Sequence, residues 1–574
     1  MNKKFLSFFN KYQKKCLLLL LSFMLISTIL EMAGLGFIFS IVGSMSPTSS
    51  NNIFVNKLSI FFELDKAEIL SYLLLFFLFF YVVKIIFLVF YNWYESNFLY
   101  SYKEYLSSKV FREYLNQNFS YFYNRNSSEF LRNLITEVDQ FTVYLVSFLK
   151  LALEVIVIFG IFCLLSYVNF YFTFYILAVF LFISGLYILL VKEKLNIWGK
   201  QRQSNMQKRI QFMQEGFDGI KVIKLLGRES FFFNKFKIHN VNLSKVSIMA
   251  RFFQNIPRLL FEFVGILFIT FSIFILYYSG NNLIEITQIL SVYIAASFRI
   301  LPSINRIVTS LHNIKLSYPA IDVLYNELKN FKDYTKSDYE KFSFNENISV
   351  DIKKFKYPNS NNFEISNVKF DILKGHKIGI IGPSASGKTT IVEILTGISD
   401  KPSGSITVDG KSIFSNIKGW QKLIGFVPQK IFILDESLRN NILFGLDNKK
   451  YTDEHITKII KKLSLENLLK RLPNGLDGNL GEEGINLSGG EIQRIGLCRA
   501  LIYDPEILFL DEATSSLDIN TESQILDELK VFKEKTIISI AHRINTLKNC
   551  NKIYSIKNGE IVDQGNFDKF KNLN

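Results

Sequence analysis

With 574 residues the chain is too long for one ordinary domain, so at least two are expected. Hydrophobic residues make up 49% of it and aromatic residues 15%, and the Phe and Tyr crowd into the part before about residue 320, as bilayer-facing helices require. A formal net charge of +15 would suit nucleic acid, but the basic residues sit between apolar runs, which argues for membrane topology and against a nucleic-acid partner.

The chain opens as MNKKFLSFFNKYQKKCLLLLL, a signal-peptide-like start. Its apolar run continues to about Val42 without a small-residue cleavage site, which predicts a retained first membrane helix. A membrane helix needs about 20 mostly apolar residues. Candidate spans lie at about 17–43, 69–92, 143–167, 170–191, 259–278 and 286–308, so an all-α domain of six transmembrane helices over 1–325 is expected. The last span carries Gln288, Ser291, Ser297, Arg299 and Ser303, which predicts that it lines a polar interior. Cys16, Cys163, Cys498 and Cys550 all avoid the segments assigned to the external side, so no disulfide framework is implied.

Connections 44–68, 168–169 and 279–285 are short and poor in Lys and Arg; 93–142 and 192–256 are long and rich in them. The positive-inside rule puts the long connections and both termini in the cytoplasm. Their helical periodicity, as over 205–227, predicts membrane helices prolonged into the cytoplasm rather than solvated loops. The external segment 53–62 either lies flat on the outer leaflet or closes the first hairpin.

A charged linker over 326–349 precedes a second domain, 350–574, that reads as an α/β P-loop nucleoside triphosphatase. In it Gly382-Pro383-Ser384-Ala385-Ser386-Gly387-Lys388-Thr389-Thr390 follows an apolar strand and opens a helix, the GxxxxGK[ST] pattern. Glycines there let backbone N–H groups converge on phosphates; Lys388 is expected at the β/γ-phosphates and Thr389 at magnesium. Further on, Ile507-Leu-Phe-Leu-Asp511-Glu512 is an apolar strand ending in two carboxylates. Asp511 is expected to bind magnesium and Glu512 to polarise the attacking water. Alone, that strand would read as buried structure with an acidic end; paired with the glycine loop it reads as a catalytic site.

Between the two lies Leu487-Ser488-Gly489-Gly490-Glu491, similar to the signature motif of the ATP-binding cassette (ABC) transporters, which usually ends in Gln. The resemblance runs the whole length of the chain. It implies that Tyr357 stacks on adenine, Gln429 couples magnesium to the membrane domain, 480–484 forms the exporter x-loop, Asp518 sits in the D-loop, and His542 senses the γ-phosphate. It also implies ATP and Mg2+ as cofactors. The nucleotide is then held between the P-loop of one subunit and the signature of another, so two copies, most simply a homodimer, are needed. Membrane-domain-first order resembles exporters.

Shorter phrases resemble the bacterial subfamily that flips lipid-linked oligosaccharides: Glu31-Met-Ala-Gly-Leu-Gly36, Asn124-Arg-Asn-Ser-Ser-Glu129, 219–229 and 298–305. They imply ATP-driven flipping of a polyprenyl-pyrophosphate glycan across the bacterial cytoplasmic membrane. The other readings are an exporter of lipid A, drug or peptide, or an ATP-gated channel or regulator. No protease-like domain precedes the first span, which weakens a peptide exporter, and intact Glu512 and His542 favour pumping over gating. Lys84, Arg258, Arg299 and Arg306 fall in or beside membrane spans, where a central charge costs about 2.5–3.5 kcal/mol. They are the candidate cations for a pyrophosphate head, against snorkelling to lipid phosphates.

Overall fold

The computed structural model describes residues 3–44, 66–123, 125–168, 170–278, 283–330, 342–357, 363–513, 519–530, 532, 534–541 and 543–571. The external segment 53–62 lies outside them. The chain divides into two compact units, Met1–Gln117 with Arg125–Asp333, and Asn118–Asn124 with Tyr334–Asn574.

The first unit is built on long helices: α1 (Lys11–Ser44), α2 (Lys66–Leu115), α3 (Val138–Val168), α4 (Phe170–Asp218), α5 (Glu229–Tyr278) and α6 (Leu283–Asn330). Among the described residues, four stretches are long and apolar enough to cross a membrane: Lys11–Gly34, Leu74–Leu115, Ser127–Cys163 and Thr173–Asp218. The fifth and sixth expected spans run into side chains outside the described residues. On α2, Leu75, Phe79, Val82, Ile86 and Val89 stand 47% to 66% exposed. Their three-and-four spacing makes an outward apolar stripe, the inverse of a soluble helix and the face a bilayer would cover.

The helices outrun the apolar runs that mark them. α4 continues past residue 191 to Asp218, breaks at Gly219, and is followed by the short helix Ile220–Leu226, which Gly227 ends in a left-handed conformation (φ 60°). Gly199 does not interrupt α4; it lets α6 come close, because a Cβ there would lie 2.5 Å from the Leu316 carbonyl oxygen. Phe180, Tyr187 and Val191 of α4 pack with Phe261 of α5 and Ile304 and Val308 of α6 in a buried cluster.

The second unit holds two sheets. β1 (Asn347–Phe355), β2 (Ile365–Leu373), β4 (Ser403–Val408) and β5 (Lys411–Ser412) form an antiparallel sheet in the order β2-β1-β4-β5. The larger sheet runs β10-β9-β3-β8-β7-β6, from β3 (Lys377–Ile381), β6 (Ile424–Val427), β7 (Ile507–Asp511), β8 (Thr536–Ile540), β9 (Lys552–Lys557) and β10 (Glu560–Gly565). Its strands pair in parallel except β10 on β9. The parallel strands read as continuous apolar runs because both faces are covered; every residue of β7 is buried. Helix α7 (Lys388–Leu395) leaves the carboxyl end of β3, where open α/β sheets bind ligands.

Candidate nucleotide and substrate sites

β3 delivers its chain into a loop that demands glycine at two positions. Gly382 has φ 157°, and a Cβ there would meet the Ile556 carbonyl oxygen at 2.1 Å; Gly387 has φ 106° and would drive a Cβ to 2.4 Å from Ile365 Cδ1. Ala385 also takes a left-handed φ, 61°, a conformation costing a non-glycine residue about 1–2 kcal/mol. The Ser386 hydroxyl is buried without a hydrogen-bond partner. Lys388 folds back over the loop, its Nζ donating to the carbonyl oxygens of Gly382 and Pro383 at 3.0 Å each. Burial lowers the Lys388 pKa, and the charges of Glu512 and Asp511 oppose that. A cradle closed to a Cβ at Gly382 and Gly387, an orphan hydroxyl and a desolvated ammonium fit a polyphosphate.

The carboxyl end of β7 brings the acids to this loop. Thr389 Oγ1 donates to Asp511 Oδ1 at 3.4 Å. Burial, then the neighbouring Glu512 charge, pushes Asp511 up to about 6. A threonine hydroxyl beside a desolvated carboxylate is an all-oxygen donor set suited to Mg2+, which keeps its remaining positions for phosphate and water. Glu512 turns out of the strand at φ 49°, its N–H donating to the Ile540 carbonyl oxygen at 3.2 Å, and its Oε2 accepts from Gln429 Nε2 at 2.6 Å. Gln429, expected at magnesium, thus holds the carboxylate next to it.

Gln429 and Glu512 line one cavity of about 480 Å³ with Ser384–Thr390, Phe363, Tyr357 and Tyr123. The Tyr357 hydroxyl donates to Glu393 of α7, which ties the ring to the P-loop helix. Ser488, Gly489, Gly490 and Glu491 do not line the cavity. They begin helix α8 (Gly489–Leu501), which Ser488 and Glu491 close with a reciprocal capping box. Asp518 and His542 lie outside the described residues.

A second cavity, of about 710 Å³, lies within the helical unit. Arg258 and Arg306 line it, joined by Lys103, Lys150 and Arg251, with Asp139 as the acidic residue among its walls. Lys84 is not part of the lining; its Nζ stands 4.8 Å over the Tyr81 ring. The Arg299 side chain is outside the described residues. Arg306 does not present a bare charge: it is paired with the buried Glu154 of α3, and its Nη2 also reaches Ser303 Oγ at 3.3 Å. Arg258 pairs with Glu262 at 2.9 Å on an exposed surface. Lys150 and Glu154 stand in the third predicted span, where any charge marks a candidate site, and this was the available signal for them. Tyr123 and Arg251 carried no local pattern.

Comparison with known proteins gives the same picture. The description "ABC transporter transmembrane region" matches residues 2–301, and "ABC transporter" matches residues 365–515. The chain is similar to the ATP-dependent lipid A-core flippase of Aliivibrio fischeri, 32% identical over 280 residues covering 48% of each protein. It is similar also to that of Pasteurella multocida, 37% identical over 222 residues and 38% of each. An uncharacterized ABC transporter ATP-binding protein of Bacillus subtilis is 31% identical over 372 residues, 62% of this chain and 61% of that one. The matched stretches thus span less than two thirds of each relative. A bacterial Atm1-family ABC exporter solved with ATP bound has the same fold, at TM-score 0.81 and 18% identity over 97% of both chains. With its membrane region matched over more than half of its length, the chain belongs to the ABC transporter family and joins that region to a P-loop nucleotide-binding domain in one polypeptide.

Proposed function

We propose that two copies of this chain form a homodimer that hydrolyses ATP to flip a lipid-linked oligosaccharide, a polyprenyl-pyrophosphate glycan, across the bacterial cytoplasmic membrane with both termini inside. The cationic cavity of the helical unit carries the substrate class. Lys103, Lys150, Arg251, Arg258 and Arg306 surround about 710 Å³; Asp139, Glu262 and Glu154 pair with three of them, and the two positive charges left over, on Lys150 and Arg251, are matched by a pyrophosphate head.

The nucleotide site supplies the work. P-loop amides and Lys388 receive the β- and γ-phosphates of ATP. Thr389 and Asp511 would hold Mg2+, which when bound neutralises charge on the transferring phosphoryl group. Glu512, oriented by Gln429, takes up the proton of the attacking water, and His542 steadies the γ-phosphate. Ser488 and Gly490 of the partner subunit close the site; their position away from the chain's own nucleotide cavity supports this sharing.

The relatives named lipid A-core flippases favour a second reading, lipid A as cargo. Purified protein in liposomes distinguishes the two by ATPase stimulation. Polyprenyl-pyrophosphate glycan should stimulate, and peptides should not. Stimulation by lipid A alone would install the second reading, and stimulation by neither lipid would reject both.

A further inference from the structure

Glu491 replaces the glutamine that usually ends the signature motif, and its surroundings show what the exchange involves. The Ser488 hydroxyl accepts from the Glu491 N–H at 3.3 Å. In return Glu491 Oε2 accepts from the Ser488 N–H at 2.8 Å and from the Ser488 hydroxyl at 3.0 Å. An amide oxygen could accept the same bonds. A carboxylate makes them charge-assisted and sets a full negative charge at the start of α8, where the helix dipole and free N–H groups otherwise favour an incoming phosphate. The Ser488 N–H and hydroxyl, two donors that a phosphate could use, are thus engaged by an anion.

The compensating charge comes from outside the motif. Arg471 ends the short helix Glu466–Arg471 and sets its Nη2 3.0 Å from Glu491 Oε1 and 3.1 Å from Oε2. The same nitrogen donates to the Asn486 carbonyl oxygen at 3.3 Å, which fixes the guanidinium beside the motif. Burial works to raise the Glu491 pKa, but the Ser488 N–H, the Ser488 hydroxyl and Arg471 outweigh it and hold the group below the ordinary carboxylate range. Glu491 is therefore charged at neutral pH. Its side chain is only 17% exposed, so water screens it poorly.

We propose that Arg471 is a positioning residue of the ATP site. It cancels the charge of the Glu491 carboxylate where that group caps the helix, so that Ser488 and the N-terminus of α8 can receive the phosphate bound by the partner subunit. The inference rests on the shared-site reading given above. It implies that Arg471 matters only because residue 491 is acidic.

The test is a double-mutant cycle on MgATP turnover by the full-length protein in liposomes, with ADP binding as the check of folding. Arg471→Ala should lower kcat about fivefold, and Arg471→Lys, which keeps the charge, should recover most of that loss. In the Glu491→Gln background the same Arg471→Ala change should cost less than about twofold. An equal loss in both backgrounds, or no loss in the first, overturns the inference. Should Arg471→Ala fail to bind ADP, the Arg471→Lys result and the Glu491→Gln, Arg471→Ala double variant decide: good turnover in both supports the pairing, and poor turnover in either rejects it. Wild-type protein without turnover would instead bring down the ATPase reading, and this inference with it.

Discussion

The ring of Tyr123 lies flat on that of Tyr357, with centroids 4.6 Å apart and planes within 2° of parallel. A base inserted between them would need about 7 Å, two successive van der Waals contacts. Tyr357 is only 9% exposed, Phe355 meets its edge, and its hydroxyl is tied to Glu393, so the ring has little room to turn away. Adenine that stacks on Tyr357 from this side must displace Tyr123. Tyr123→Ala should therefore tighten ATP and ADP binding by roughly two- to tenfold, the worth of an aromatic pair. Titration with a fluorescent nucleotide measures this. Weaker binding would mean that the base stacks on Tyr123 instead.

Glu512 is held by Gln429 at 2.6 Å and is the carboxylate that lines the cavity among the described residues. Glu512→Gln should still bind MgATP and bring two ATPase domains together, while turnover falls by about 100-fold or more. Normal turnover in single-cycle kinetics would remove Glu512 from the mechanism.

Much of this site could be read from the sequence, because the elements that build it are local. A strand, a glycine loop and the first turn of a helix are contiguous from Lys377 to Thr390, so the motif is legible there, although the clashes that demand Gly382 and Gly387 come from Ile556 on β9 and from the Ile365 and Phe363 side chains. The residues that were missed act across distance. Tyr123 reaches Tyr357 from a segment more than two hundred positions away, and Arg471 reaches Glu491 from another helix. The cationic cavity shows the same limit. Arg306 reads in isolation as fixed positive charge, yet its partner Glu154 lies on α3, and only packing brings them together.

Gly199 tests the packing of the helical unit. Gly199→Ala would set a methyl 2.5 Å from the Leu316 carbonyl oxygen and 3.0 Å from Pro319 Cγ. Backbone cannot yield cheaply, so α4 and α6 must part, at about 1–3 kcal/mol. Gly185→Ala on the same helix meets nothing within 4 Å and serves as the control. The first variant should melt several degrees lower in detergent and the second should not; equal melting temperatures would contradict the close approach.

Lys150 and Arg251 line the large cavity from α3 and α5. Exchanging either for alanine should raise the concentration of pyrophosphate lipid needed for half-maximal ATPase stimulation, by about fivefold or more for an ion-paired phosphate contact. Arg251→Lys should recover only part of that, because an ammonium keeps the charge and loses the planar fork. An unchanged stimulation curve for both alanine variants would return these residues to lipid-phosphate contacts at the membrane surface.

Transbilayer movement itself is the most direct measurement of the proposed activity. Liposomes holding the purified protein and a labelled polyprenyl-pyrophosphate glycan are probed with a glycan-cleaving enzyme confined to one side. MgATP should change the fraction of glycan open to that enzyme within minutes, and Glu512→Gln should abolish the change. ATP hydrolysis at full rate while the glycan lipid stays on its original side would contradict the account.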